Sequence, residues 1–363
     1  MKELLDTVDA WRTEGVAFGR AVVVRTFGSA PRPEGAVLVG AADGRLAGSV
    51  SGGCVEGAAF ERIDEARRSG LSLVIRYGIS DEEAWDVGLA CGGTIDVLVE
   101  PSVSDAVISA ARRQGRAVVT VLPPDSPPAG FGPHPPGVGA PPAETLIAAT
   151  DGSLVGSAGS AEVDSAIAAA AVDALNRGTS RTIELEGRSY FIEAFPERPR
   201  LVVVGAVEVA RTLVRIAREL GYETIVVDGR ASFATAERFP DVDRLIVGWP
   251  DEVADEIGLG PADAVAVLTH DVKFDEPAIV EALRRGCRYV GAVGSKKTQG
   301  DRRERLLAAG VTAEELGRLR GPIGLDLGGR APAETALAIM SEVVAARYGG
   351  TGGPLVGKAG VRR

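Results

Sequence analysis

From position 201 the chain settles into one rhythm. Short apolar runs at 201–204, 223–227, 244–246, 264–268 and 289–292 are separated by amphipathic stretches at 209–220, 276–285, 299–309 and 333–348. The runs read as short buried strands and the stretches between them as helices. Such alternation predicts a doubly wound parallel sheet, a Rossmann-like fold with ligands at the carboxyl ends of its strands. This plan covers residues 199–349, and the Gly-rich stretch 350–363 reads as a flexible tail.

The first 198 residues follow a different plan. Val37-Leu-Val-Gly-Ala-Ala-Asp-Gly-Arg-Leu-Ala-Gly-Ser49 resembles Leu146-Ile-Ala-Ala-Thr-Asp-Gly-Ser-Leu-Val-Gly-Ser157. Each reads as strand, Asp-Gly hairpin turn, strand. Each is followed by a helix (55–69 or 161–177) and a strand (72–77 or 181–185). Each has a strand upstream (21–25 or 117–122) and ends in another (96–100 or 190–194). The expectation is an α/β protein whose N-terminal α+β domain is internally duplicated. The second copy carries a Pro-rich loop, 123–142, where the first has 26–34. Aligning Gly48 with Gly156 puts Glu162 opposite Cys54, so a thiol stands there only in the first copy.

A chain of 363 residues, 45% hydrophobic and 25% charged, is long enough for two domains with cores of their own. Its net charge of −10 argues against nucleic acid or an anionic membrane as partner. Three cysteines, Cys54, Cys91 and Cys287, do not form a disulfide framework and suggest a reducing compartment. The start has no apolar signal core, and no run approaches the ~20 apolar residues of a membrane helix. A cytoplasmic protein is expected, with a homodimer as its assembly.

Two glycine-rich loops carry thiols. In Gly48-Ser-Val-Ser-Gly52-Gly53-Cys54-Val-Glu56 the cysteine lies between a strand and a helix, where free N–H groups and the helix dipole favour thiolate. A thiolate is a nucleophile and a soft ligand for metal or sulfur; the competing reading is a small residue filling a tight turn. In Gly88-Leu-Ala-Cys91-Gly-Gly93-Thr94 a second thiol again sits beside paired glycines. Cys287 leads into a strand and reads as structural. Arg32, in Thr26-Phe-Gly-Ser-Ala-Pro-Arg32-Pro-Glu-Gly35, is either a clamp for phosphate or carboxylate or an ordinary solvated side chain.

The Rossmann-like half opens with Gly205-Ala-Val-Glu-Val-Ala210. A dinucleotide fingerprint would carry glycine where Val207 stands, so NAD(P) is disfavoured, although Asp228 lies where a ribose-binding acid belongs. Thr269-His270-Asp271-Val-Lys273-Phe-Asp275 follows a strand and points His270 at the ligand crevice, or else caps the next helix. Gly291-Ala-Val-Gly294-Ser295-Lys296-Lys297 is a basic turn suited to phosphate. No paired-ligand spacing for zinc, no nucleophile elbow and no P-loop is present.

These motifs resemble the XdhC/CoxI family, the accessory proteins of xanthine dehydrogenase and carbon monoxide dehydrogenase. The resemblance covers about residues 10–348. It rests on Gly28-Ser-Ala-Pro31, Gly48 to Glu56, Cys91-Gly-Gly93, Thr269-His-Asp271 with Lys273 and Asp275, Gly291 to Gly294 with Ser295, and Gly321-Pro-Ile-Gly-Leu-Asp326. It implies a protein without turnover of its own. Such a protein binds molybdenum cofactor (molybdopterin), assists its sulfuration with a cysteine-desulfurase-type sulfurtransferase, and inserts it into an apo molybdenum hydroxylase of the xanthine or carbon monoxide dehydrogenase type. The site residues it implies are Cys54 and Cys91 as metal ligands, with Gly52, Gly53, Arg32, Gly205, Asp228, His270, Asp271, Gly294, Ser295 and Lys296 around the cofactor. One departure stands out: family members commonly carry G-A-G-H-V-A where this chain has Gly205 to Ala210, so the flexible glycine and the histidine are both absent. An NAD(P)-dependent oxidoreductase is the alternative reading, with His270 as its acid–base candidate. A thiol sulfur carrier or redox protein using Cys54 and Cys91 is a third.

Overall fold

The computed structural model describes residues 1–78, 93–123, 139–142 and 145–354. These divide into two compact units, 1–197 and 198–354.

In the first unit α1 (Leu5–Thr13) leads into β1 (Phe18–Phe27), the hairpin β2 (Val37–Ala41) and β3 (Leu46–Gly48), α2 (Glu56–Ser69), β4 (Leu73–Tyr77) and β5 (Thr94–Glu100). After α3 (Asp105–Arg113) the same series recurs as β6 (Arg116–Val121), β7 (Thr145–Ala149), β8 (Leu154–Val155), α4 (Ala161–Arg177), β9 (Arg181–Leu185) and β10 (Arg188–Phe195). The two antiparallel sheets have matching strand orders, β3-β2-β1-β5-β4 and β8-β7-β6-β10-β9.

Alternation decides which face each residue serves. Ala21 and Val23 of β1 pack with Ala59, Ile63 and Ala66 of α2, whereas Val22 and Val24 turn to a second cluster with α1 and α3. In the second copy Ala117 and Val119 face α4, and Val118 joins that shared cluster with Phe191 and Phe195. Arg20 is wholly buried and pairs with Glu100 of its own sheet and, at 2.8 Å, with Glu193 of the other.

In the second unit β11 (Arg200–Val204), α5 (Glu208–Glu219), β12 (Glu223–Asp228), β13 (Arg244–Val247), α6 (Pro250–Ile257), β14 (Ala264–Val267), α7 (Val272–Arg284), β15 (Tyr289–Ala292), α8 (Lys296–Ala308), α9 (Ala313–Arg318), β16 (Leu319–Arg320) and α10 (Pro332–Tyr348) follow one another. All the strands are parallel, in the order β13-β12-β11-β14-β15-β16, so the order reverses between β11 and β14. The crevice outside that switch point is where such sheets take ligands. Helix α7 begins at 272 rather than 276 because the Asp271 carboxylate caps the Lys273 N–H (3.0 Å). Helix α8 begins at 296 rather than 299 because the Ser295 hydroxyl caps Thr298 (3.2 Å). The sequence pattern predicts no helix at α6, a short segment with four acidic residues among its eight. Among the described residues no helix is long and apolar enough to cross a membrane.

Candidate functional site

Between β3 and α2 the chain closes around one carboxylate. Glu56 accepts five hydrogen bonds: from the hydroxyls of Ser49 and Ser51 (both 2.6 Å) and from the N–H groups of Val50 (3.2 Å), Ser51 (2.9 Å) and Gly53 (2.8 Å). The Ser51 oxygen accepts from Cys54 N–H (3.0 Å) and Val55 N–H (2.9 Å), and the Ser49 oxygen from Gly52 N–H (2.8 Å). Burial pushes the Glu56 carboxyl up, but the hydroxyl and amide donors outweigh it and hold the group down at about 2.

The N–H groups from Val50 to Val55 are all satisfied inside the loop, and α2 begins after them at Glu56 with no side-chain cap on its first turn. The loop is a rigid pedestal. Gly52 and Gly53 stand in succession at φ +79° and +118°, conformations that side-chain-bearing residues resist, and Cys54 follows them exposed to solvent. Cys287, by contrast, is 1% exposed, and burial pushes its thiol up to about 12.

Two loops and both ends of the β4–β5 connection meet at this end of the first sheet. Ala30, Val50, Val55, Tyr77 and Ile95 share one core cluster, which ties the 28–35 and 48–55 loops to the two ends of the β4–β5 connection. Tyr77 pairs with Ile95, so that connection leaves and returns at the same place. A Cβ on Gly93 would lie 2.7 Å from the Ser29 backbone, so the glycine permits close contact with the Gly28–Pro31 turn. Cys91 itself lies outside the described residues. Arg32 is exposed on the 28–35 loop, and among the described residues no carboxylate pairs with it. No group of three or more potential metal ligands comes together among the described residues.

The second unit holds a cavity of about 780 Å³ at the switch-point end of its sheet. Val207, Asp228, Arg230, Trp249, His270 and Asp271 are among its lining residues. Asp228 is 1% exposed, and both its oxygens are fully engaged. Oδ1 accepts from Arg230 N–H and Nε (both 2.9 Å); Oδ2 accepts from Ala206 N–H and Arg230 Nη2 (both 2.8 Å). A carboxylate offers about four acceptor positions, so none remains for a ribose hydroxyl. Burial raises the Asp228 carboxyl, but the Arg230 guanidinium and the two amides more than offset it, leaving it below its ordinary range. Val207 and the occupied Asp228 both depart from what a dinucleotide-binding turn presents.

Gly205 does not line the cavity; a Cβ there would meet Thr269 Cγ2 at 2.5 Å, so this glycine seats the first turn against the β14 loop. Thr269 donates in turn to buried Asp275, which pairs with Arg302 at 2.8 Å and ties that loop to α8. Asp275 therefore buttresses the His270 loop from within. Gly294, Ser295 and Lys296 lie on the neighbouring β15–α8 loop and are not among the cavity's lining residues. The His270 loop and the basic turn are therefore neighbours, and only the first lines this cavity.

Residues 201–343 match the XdhC Rossmann domain, and residues 11–78 match the XdhC and CoxI family. The chain belongs to the XdhC/CoxI family. It is similar to a probable xanthine dehydrogenase subunit of Bacillus subtilis (strain 168), 26% identical over 338 residues, covering 90% of this chain and 92% of that protein. It is also similar to the molybdenum cofactor insertion chaperone PaoD of Escherichia coli (strain K12), 26% identical over 348 residues, 94% and 88% of the two chains. The crystal structure of a xanthine dehydrogenase from Bacillus halodurans shares the fold, with a TM-score of 0.62 at 24% identity over 95% of each chain.

The XdhC/CoxI marks fall into two sets. Gly28–Pro31 and Gly48–Glu56 gather at one end of the first sheet of unit one. Thr269–Asp271 and Gly321–Asp326 follow β14 and β16, and Gly291–Gly294 spans the end of β15, at the carboxyl edge of the parallel sheet. Of the cavity's charged and aromatic lining residues, Arg230 and Trp249 are absent from the sequence reading, and Lys273 and Phe274 appear there only as part of the motif after β14. Arg230 is findable from its place two positions after Asp228; Trp249, two positions past β13, carries no local signal beyond preceding Pro250 at the start of α6.

Proposed function

We propose that this chain is a carrier of molybdenum cofactor. It takes the cofactor as cargo, presents Cys54 to its metal, and delivers it to an apo molybdenum hydroxylase of the xanthine or carbon monoxide dehydrogenase type. Thiolate sulfur suits a soft metal centre. The observation that carries the reading is the Gly52-Gly53 pedestal, which displays Cys54 in solvent in the first copy while the second copy has no thiol there. Cys91 is the proposed second ligand, and Arg32 a cation for the cargo's phosphate. Family membership and the similarity to PaoD support the same reading. Sulfuration of the cargo by a cysteine-desulfurase-type sulfurtransferase, a homodimeric state and a cytoplasmic location belong to this proposal. The saturated Asp228 counts against an NAD(P)-dependent oxidoreductase.

The test is anaerobic equilibrium binding of molybdenum cofactor to the purified protein, with NADH and NADPH titrated in parallel. Saturable binding near one per chain, weakened about tenfold or more by Cys54→Ser, is expected. Pyridine-nucleotide binding without cofactor binding would overturn the reading.

A further inference from the structure

Both ends of the 28–35 loop, which carries Arg32, are fastened to the second copy. The register of β1 against β5 shifts by one between Val23 and Arg25, so Val24 is an extra residue in the strand. Such a bulge bends its strand and re-aims a side chain. Val24 packs with Val118 and Phe191 of the second sheet, and its carbonyl accepts from the Thr182 hydroxyl of β9 (2.6 Å). Arg25 reaches the same sheet. Its Nη2 donates to Glu184 and to Ser189 Oγ (2.6 Å), while Nη1 meets Asp96 of its own sheet at 3.4 Å. Asp96 is wholly buried and accepts twice from Arg76 (2.6 and 2.7 Å), whose guanidinium carbon lies 5.0 Å from the Phe27 ring, just before the loop. At the loop's other end the Gly35 N–H donates to Val23 O (2.8 Å), and a Cβ on Gly35 would stand 2.6 Å from Ser180 Oγ, one position before β9.

The two copies differ at these positions. Arg76 and Glu184 are each the fourth residue of their strands, β4 and β9; Arg76 stands opposite Asp96, and Glu184 opposite Ser189. The second copy thus presents an acid where the first has a base, and Arg25 bridges the two sheets between them. Strand β6, the counterpart of β1, pairs with β10 residue for residue from Arg116 to Val121, with no shift. The Glu184 side chain is half-exposed, so its ion pair with Arg25 contributes little stability. What a planar guanidinium held on three acceptors supplies is direction.

We propose that the second copy, which has no thiol opposite Cys54, is the positioning element for the first copy's site. Thr182 and Glu184 hold the start of the 28–35 loop through the Val24 carbonyl and Arg25, Ser180 seats its end, and together they set Arg32 for the cargo's phosphate. All three are positioning residues that act through Arg32. The inference rests on the carrier reading for the role of Arg32.

A double-mutant cycle in anaerobic equilibrium binding of molybdenum cofactor to the full chain tests it. Glu184→Gln and Thr182→Val should each weaken binding about three- to tenfold, because a loop that must be ordered on binding lowers affinity. Arg32→Ala alone should weaken binding about tenfold. In that background the same two substitutions should cause less than about twofold further loss. Thr182→Ser keeps the hydroxyl and should bind like the parent. Denaturant midpoints check that every variant folds. The alkylation rate of Cys54, whose loop is locked separately by Glu56, should match the parent's throughout. Equal losses with and without Arg32 would show a structural role alone and overturn the proposal. Parent-like affinity in Glu184→Gln and Thr182→Val, or a Thr182→Ser variant as weak as Thr182→Val, overturns it as well. In each of these cases Cys54-dependent binding by the parent leaves the carrier reading standing. No cofactor binding by the parent is the failure of that reading, and this inference falls with it.

Discussion

The two copies of the first unit are the protein's own control experiment. From the hairpin through the strand after the helix they keep a separation of 108 positions: Val37 to Thr145, Gly48 to Gly156, Gly70 to Gly178 and Leu73 to Arg181. Both helices end at a left-handed glycine, Gly70 or Gly178. Both bury the same positions, Ala59, Ile63 and Ala66 against Ile167, Ala171 and Ala174. Both close the preceding loop on a first-turn carboxylate: Ser49 donates to Glu56, and Ser157 to Asp164 at 2.7 Å. What differs is the helix start. Helix α4 begins at Ala161, capped by Ser160, whereas α2 begins at Glu56, three positions later in register. Those three positions are Gly53, Cys54 and Val55. The first copy has given up most of a helical turn to set a cysteine in solvent. A second difference lies between the last two strands. The second copy joins them by Glu186-Gly187, a tight turn at φ +49° and +73°, while the first has the longer connection that contains Cys91. A carboxylate lock common to both copies is therefore scaffold, and the glycine pair and cysteine found in one are the specialised part.

The largest expected effect sharpens the scaffold half of that contrast. Glu56→Ala should destabilise the protein by about 3 kcal/mol, since five donors lose a charged acceptor. Asp164→Ala, with hydrogen bonds from Ser157 and Ala158, should cost about 1 kcal/mol. Denaturant midpoints measure both, and equal losses would remove the distinction.

Acid titration approaches the same lock from another side. The folded carboxyl of Glu56 lies at about 2, below its ordinary 4.5. The stabilisation it provides is complete above the ordinary value and is lost as pH falls from there through about 2. Melting temperature should therefore fall over that window, and Glu56→Gln should flatten part of the fall. An unchanged curve would count against the lock.

Next in size is the glycine pair. Gly53→Ala forces a side chain onto φ +118° and should cost about 1–2 kcal/mol, and the refolded loop should slow alkylation of Cys54. A variant as stable and as reactive as the parent would mean that the unwound turn does not depend on glycine. The smallest effect separates the cysteines. Cys54→Ser should change stability by less than about 0.5 kcal/mol, as an exposed residue away from the core. Iodoacetamide mapped by mass spectrometry should label Cys54 in the native protein and leave Cys287 unlabelled until unfolding. Native labelling of Cys287 would contradict its burial.

Much of this was legible in the chain itself. The apolar runs after position 201, the Asp-Gly turns at 43–44 and 151–152 and the repeat they anchor read directly as strands, hairpins and a duplication. The glycines before Cys54 announced an unusual turn. The role of Glu56 was not legible, although the residue was in view. Five donors converge on it only once the loop has folded back over the helix. Likewise Asp228 looked available for a ribose. Its acceptors are exhausted partly by Arg230, two residues away, and partly by Ala206, which arrives from a different strand.

The division has one physical cause. A strand or helix places its side chains at a fixed period, so a local pattern of apolar residues determines the element and the face it buries. The sequence by itself therefore determined the two architectures and the repeat, whereas the caps at Asp271 and Ser295, which start α7 and α8 earlier than their apolar pattern, emerged only with the fold. Polar pairing obeys no such period. Arg20 meets Glu100 and Glu193, 80 and 173 positions away, because two sheets bring them into one buried site. Which carboxylates are occupied and which remain free for a ligand was decided by tertiary structure alone.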